Sequence, residues 1–266
     1  MTERVTLCWF RQDLRLHDQP ALAAAAGGGA AVLPVYVLDD ETPGRWAIGG
    51  AARWWLHGGL RSLADDLAAL GAPLTLRRGR AADIIPALAE AAGAAEVHAT
   101  IAHEPWWRAA DAEIAAALAR RGRRLVLHRA ATLFDLDAVK TKTGGVFGIY
   151  GAFARAVSAL PVPTPIGKPK RLRAAPAQKS DPLAAWALEP RRPNWATAFP
   201  GFWTRGEAAA RRRLSAFIRT GVTDYAGVRN VPARPGTSRF SPYLHWGEVS
   251  ARQVWRAAET RAADAS

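Results

Sequence analysis

Apolar positions in the first 130 residues fall into short runs separated by polar turns. Residues 5–10 (VTLCWF) are β-branched and apolar, which predicts a strand. Gln19 to Ala26 reads as a short helix with Pro20 in its first turn, ended by Gly27, Gly28 and Gly29. Residues 31–38 (AVLPVYVL) form a continuous apolar run, the pattern of a strand buried on both faces. Leu56, Leu60, Leu63, Leu67 and Leu70 then recur at helical spacing, and Gly71 sits where a left-handed cap would close that helix. Further strands are predicted over 73–77, 96–101 and 124–128, with helices near 82–92 and 106–121. Five strands alternating with four helices indicate an α/β domain with an open, mostly parallel, doubly wound (Rossmann-like) sheet over 1–130. Five strands are too few to close an eight-stranded barrel.

After Ala130 the pattern changes. Residues 131–200 are rich in proline, and all five lysines (Lys140, Lys142, Lys168, Lys170, Lys179) lie here. This predicts a long basic interdomain linker wrapped over the surface rather than packed inside. Helical signals resume at 201–266, the expected start of an all-α domain. Thr204-Arg205-Gly206-Glu207 and Ser250-Ala251-Arg252-Gln253 both fit capping boxes, the second opening a helix to about Glu259. Leu214, Phe217 and Ile218 supply an apolar face, and no repeat of fixed period is present.

Composition narrows the function classes. A single cysteine, Cys8, excludes an intramolecular disulfide framework and any multi-cysteine metal site. No apolar run reaches the roughly 18 residues of a membrane span, and the amino-terminal pattern is not that of a signal peptide. The expectation is a cytoplasmic, monomeric protein. The formal net charge is +13, but it is unevenly placed. Residues 1–130 hold 15 basic against 14 acidic groups, whereas 131–266 hold 21 against 9. A basic second half suits a polyanionic partner, or is simply a solvated arginine-rich surface.

Two motifs carry candidate chemistry. Trp9-Phe10-Arg11-Gln12-Asp13-Leu14-Arg15-Leu16-His17-Asp18 follows the first strand, where open α/β sheets place their ligand crevice. Its two arginines and two aspartates could contact a ligand or clamp the loop through mutual pairing. The second stretch runs from Tyr225-Ala226-Gly227-Val228-Arg229-Asn230 to Thr237-Ser238-Arg239-Phe240-Ser241-Pro242-Tyr243-Leu244-His245-Trp246-Gly247-Glu248. Three hydroxyls beside Gly236 and Arg239, at a predicted helix start, are receptive to phosphate or serve as a helix cap. Other signals fail. Gly27-Gly28-Gly29 follows a helix rather than a strand, Thr143-Gly144-Gly145 lacks the rest of a P-loop, and His103-Glu104 is not followed by a second spaced histidine. No metal site is expected. Trp54 and Trp55 are expected to anchor the long helix, and Cys8 to be inert in a core strand.

Together, in this order and across a basic linker, WFRQDLRLHD and GTSRFSPYLHWGEVS resemble the N-terminal and flavin-binding signatures of the photolyase/cryptochrome family. Lys142-Thr143-Gly144-Gly145-Val146-Phe147 and the Glu207–Phe217 helix fit as well, and the resemblance runs through the whole chain. It implies an antenna-type α/β domain followed by a helical domain holding FAD. By the same resemblance Tyr225 contacts the flavin, while Thr237, Ser238, Arg239, Phe240 and Ser241 form the loop holding the FAD phosphates. Arg229 would lie on the DNA-binding surface. The implied partner is damaged DNA containing pyrimidine dimers, and the implied reaction is light-driven splitting of a cyclobutane dimer by an electron from reduced FAD. Such a lesion must leave the duplex, in a complex that is salt-sensitive.

Three departures stand out. Phe240 replaces a usual leucine. Trp106-Trp107 occupy the place of the Asn-Glu pair found in folate-using relatives, so a deazaflavin antenna, or none, is expected rather than folate, with Arg53 and Glu104 as antenna contacts. The sequence ends a few residues past Glu259, where family members continue with further helices. The expectation is a partial product that lacks the catalytic residues and by itself neither retains FAD tightly nor repairs DNA. A cryptochrome-type blue-light photoreceptor is the alternative, and a generic nucleotide-binding α/β module a more distant one.

Overall fold

The structure is a computed structural model that describes residues 4–135 and 137–264. The outermost residues of the expected first and last segments, and Leu136, lie outside it. The predicted α/β alternation is present as β1 (Val5–Phe10), α1 (Pro20–Ala25), β2 (Ala31–Leu38), α2 (Gly50–Leu70), β3 (Thr75–Arg78), α3 (Ala81–Ala91), β4 (Ala94–Thr100), α4 (Pro105–Ala119) and β5 (Arg124–His128). All strands pair in parallel in the order β3-β2-β1-β4-β5. Strand order therefore reverses between β1 and β4, the point where this architecture opens a crevice at the carboxyl ends of its strands.

The central strands are buried on both faces, which is why they read as unbroken apolar runs. Alternate residues serve two cores. Leu7 and Trp9 of β1, with Leu33, Val35 and Val37 of β2, pack against Ile85 and Leu88 of α3 and Ile114 and Leu118 of α4. Cys8 and Phe10, with Val32, Tyr36 and Leu38, face α1 and α2. Trp54 and Trp55 are buried there as expected, and burial pushes the Cys8 thiol well up, keeping it protonated and inert. Gly71 closes α2 in the left-handed conformation (φ 99°).

The connector departs from a purely superficial wrapping. Its five lysines are exposed, and α5 (Tyr150–Ser158) buries no residue. Yet Leu172, Trp186 and Leu188 plug into the core that contains α2. The two-residue β6 (Arg173–Ala174) pairs in parallel with Ala31 and Val32. The other edge of β2 carries β1, so β6 continues the edge that β3 covers only over Val35–Leu38. A few apolar residues thus anchor a segment whose composition is otherwise that of a solvated linker.

The last part holds α6 (Phe199–Phe202), α7 (Glu207–Thr220), α8 (Tyr225–Val228), α9 (Ser241–His245) and α10 (Ala251–Ala263). Ala209, Ala210, Tyr243, Trp246 and Val249 join the core that contains α2, so these helices rest on the α/β domain. The Ser250 capping box is present, with reciprocal Ser250 and Gln253 bonds. The one expected at Thr204 is not: Gly206 occupies the cap position of α7 at φ 100°. The Glu207 carboxylate instead accepts the backbone N–H groups of Leu16 (2.7 Å) and His17 (3.0 Å).

Candidate functional site

The loop after β1 is a clamp between the two parts of the chain. Asp13 accepts hydrogen bonds from the Arg11 backbone N–H (2.6 Å), Gln19 Nε2 (2.6 Å) and Thr100 Oγ1 (2.9 Å). Arg11 pairs with Asp111 and lies 3.8 Å over the Trp9 ring. Arg15, 2% exposed, donates to the carbonyls of Gly247 (2.9 Å) and Asp18 (2.8 Å). Asp18, fully buried, accepts from Ser250 Oγ (2.5 Å), Arg252 Nε (3.0 Å) and the Ile166 backbone N–H (3.1 Å). The loop is clamped, as one of the two readings open at the sequence level expected, but not by mutual pairing: its arginine and aspartate side chains take Asp111, Gln19, Thr100, Ser250, Arg252 and backbone groups, among them the Gly247 carbonyl of the second motif.

Gly247 is the crossing point. It holds φ 63°, and a Cβ there would run into the Gln12 carbonyl and lie 2.5 Å from Asp13 Cα. Beside it, Glu248 is fully buried and accepts from Gly206 N–H (2.8 Å) and Trp55 Nε1 (3.0 Å). Burial pushes its carboxyl up to about 7, against the opposing pull of those two donors and Arg205. Sequence reasoning quoted Glu248 within its motif but gave it no role. The signal was that it is the one acid between Asp224 and Glu259.

The second motif folds around Phe217 and Arg213 of α7. Tyr225 packs edge-on against Phe217 at 5.3 Å, and buried Phe240 does the same at 5.4 Å. Arg213 donates from Nε to the Ser238 carbonyl (2.8 Å) and from Nη2 to the Thr237 carbonyl (3.1 Å). The loop's carbonyls are thereby tied back. Its backbone N–H groups from Thr237 to Ser241, and the hydroxyls of Thr237, Ser238 and Ser241, have no protein acceptor among the described residues. Arg239 adopts a left-handed φ of 57° and sits 4.4 Å over the Trp203 ring. The result is a row of free donors with an arginine in it; its first residue, Thr237, lines a cleft of about 310 Å³ together with Arg213, Phe217, Asp224 and Gly236. Arg229 is exposed on the same side, 5.8 Å from the Tyr225 ring. The helix start expected here is real but short, since α9 has five residues.

The two antenna residues are not brought together. Arg53 pairs with Asp40 (2.6 Å) and donates to the Ile48 carbonyl (3.0 Å). Glu104 occupies the N-cap position of α4 without a side-chain capping bond and lines a crevice of about 390 Å³ shared by Arg11, Thr100, Thr132 and His245, at the β1/β4 reversal. Trp106 stacks near-parallel on exposed Trp46 (6.2 Å between centroids, 13°), whereas Trp107 packs edge-on against Trp9 at 6.2 Å.

A deoxyribodipyrimidine photo-lyase of Agrobacterium fabrum is 36% identical over 253 residues, covering 94% of this chain and 52% of its own length. Cryptochrome-2 of Arabidopsis thaliana is 29% identical over 268 residues, 97% of this chain and 43% of its own. The crystal structure of a bacterial class III photolyase from Agrobacterium tumefaciens superposes with a TM-score of 0.90 at 34% identity, over 97% of this chain and 53% of that one. The chain thus spans about half the length of the curated relatives it matches. The family model described as DNA photolyase matches residues 6–177, well over half of the chain, and the chain therefore belongs to the DNA photolyase family.

Proposed function

We propose that this chain supplies the antenna-type domain and the phosphate-holding part of the flavin domain of a light-dependent DNA-repair flavoprotein, a deoxyribodipyrimidine photo-lyase that splits cyclobutane pyrimidine dimers. The observation that carries the reading is the free donor row of Thr237–Ser241. Arg213 fixes its backbone by taking two carbonyls, so its N–H groups and hydroxyls remain for an anion. These residues fit the diphosphate of FAD. Arg239 adds positive charge, and Tyr225, held edge-on by Phe217, offers an aromatic contact at the rim. When bound, reduced FAD supplies the light-driven electron for ring opening. The chain's own residues position that group and present Arg229 to DNA phosphates. A second, light-collecting chromophore is proposed for the β1/β4 crevice, with Glu104 as a contact; Arg53 is engaged with Asp40 instead.

The test is a titration of FAD into the purified chain, followed by flavin fluorescence, together with binding to ultraviolet-irradiated and intact DNA. Saturable but weak FAD binding and a preference for irradiated DNA are expected. Absence of any FAD binding overturns the reading. The cryptochrome relatives support a blue-light photoreceptor as the second reading; FAD binding without preference for damaged DNA would favour it.

A further inference from the structure

A separate cleft of about 470 Å³ lies between α2 and the end of the connector, and shares no residue with the flavin-loop cleft or the β1/β4 crevice. Its size is that of a small-molecule site. Its base is Arg205, which lies across α2 where Gly58 offers no Cβ; any Cβ there would strike the guanidinium. The guanidinium carbon lies 3.8 Å from the centre of the Trp54 ring. Its bonds to the Trp54 carbonyl and to Glu189 (3.0 Å) both run through Nη1. Nε packs against Gly58, and Nη2 remains as a donor on a side chain only 13% exposed. A guanidinium held this rigidly suits a planar or tetrahedral oxyanion.

The rest of the lining has the same bias. Glu189, the carboxylate of the cleft, is paired with Arg205 (3.0 Å), and the buried Nδ1 of His57 lies 3.2 Å from it without hydrogen-bonding geometry. Exposed Arg191 at the rim is then an unbalanced positive charge. Asn194 Oδ1 accepts from Ala196 N–H (3.1 Å), which leaves the amide's donor end available. Leu188 and Pro200 make an apolar wall for the body of a ligand.

We propose that this cleft binds a small oxyanion, a phosphate or carboxylate compound, with Arg205 as its seated contact and Arg191 as its rim charge. The test is calorimetric titration of the whole chain with inorganic phosphate and, separately, with succinate. At least one should bind saturably, at an order of millimolar or tighter; which one does separates phosphate from carboxylate ligands. Arg191→Glu should weaken binding about tenfold or more. Arg121→Glu, an equal change of charge at a surface site paired with Glu90, should leave it unchanged. The triple variant Thr237→Ala, Ser238→Ala, Ser241→Ala weakens any phosphate binding at the flavin loop but should leave the component that Arg191→Glu weakens in place, which separates this cleft from that loop. The proposal is overturned by no saturable binding of either probe, by no effect of Arg191→Glu, by an equal effect of Arg121→Glu, or by loss of that component in the triple variant.

Discussion

Arg15 and Gly247 are 232 positions apart and joined by a 2.9 Å hydrogen bond from the buried guanidinium to the glycine carbonyl. The same arginine holds the Asp18 carbonyl, while the Asp18 carboxylate accepts from Ser250 and Arg252. The N-terminal signature is therefore the seat on which the C-terminal helices are mounted.

Arg15→Met removes this bonding and leaves buried carbonyls unpaired. It should destabilise the chain by about 2–4 kcal/mol, read as a lower urea midpoint, with the two parts of the chain loosening together.

Gly247→Ala asks a residue with a Cβ to hold φ 63° against the backbone of Gln12 and Asp13. A loss of about 2 kcal/mol or more is expected. Gly27→Ala, at a position with open space around it, is the control and should change the midpoint little.

Glu248 gives a signed pH dependence. Its folded carboxyl titrates near 7, against an ordinary 4.5. Between those values the folded state holds a proton that the unfolded state has released, so stability falls as pH rises from 4.5 towards 7. The loss is at most about 3 kcal/mol. His98 and His128, lowered chiefly by burial, act in the opposite sense near their ordinary 6.5, so the readout is the difference between wild type and Glu248→Gln. That difference should shift in favour of the variant as pH rises across the window, and a flat difference contradicts the assignment.

Arg229→Ala should weaken binding to irradiated and intact DNA alike and lower the slope of log affinity against log salt by about one. A change confined to irradiated DNA would assign Arg229 to the lesion instead of the backbone.

The strands and long helices were legible because each is a local apolar pattern. β1, β2 and β5 fall on the expected residues, and the other strands begin or end within about two residues of them. What was not legible is non-local. Glu207 has the spacing of a capping-box acid, but its carboxylate is taken by Leu16 and His17, about 190 positions away. Leu172 stands alone among basic residues, so nothing local marks it as a core plug, whereas Trp186 and Leu188 belong to a six-residue apolar run, Leu183 to Leu188, that the proline-rich composition around it obscures. Arg53 looks available until Asp40 is seen beside it. In the second motif the residue types pointed to an anion loop, but only the fold shows that Arg213 ties the carbonyls back.

The most direct measurement compares FAD affinity of the wild-type chain with that of the triple variant Thr237→Ala, Ser238→Ala, Ser241→Ala, with folding checked by circular dichroism. The three residues are exposed or half-buried and their hydroxyls bond no protein group among the described residues, so the fold should persist. The account predicts saturable FAD binding in the wild type that weakens about tenfold or more in the variant. Equal affinities would contradict the assignment of this loop to the flavin phosphates.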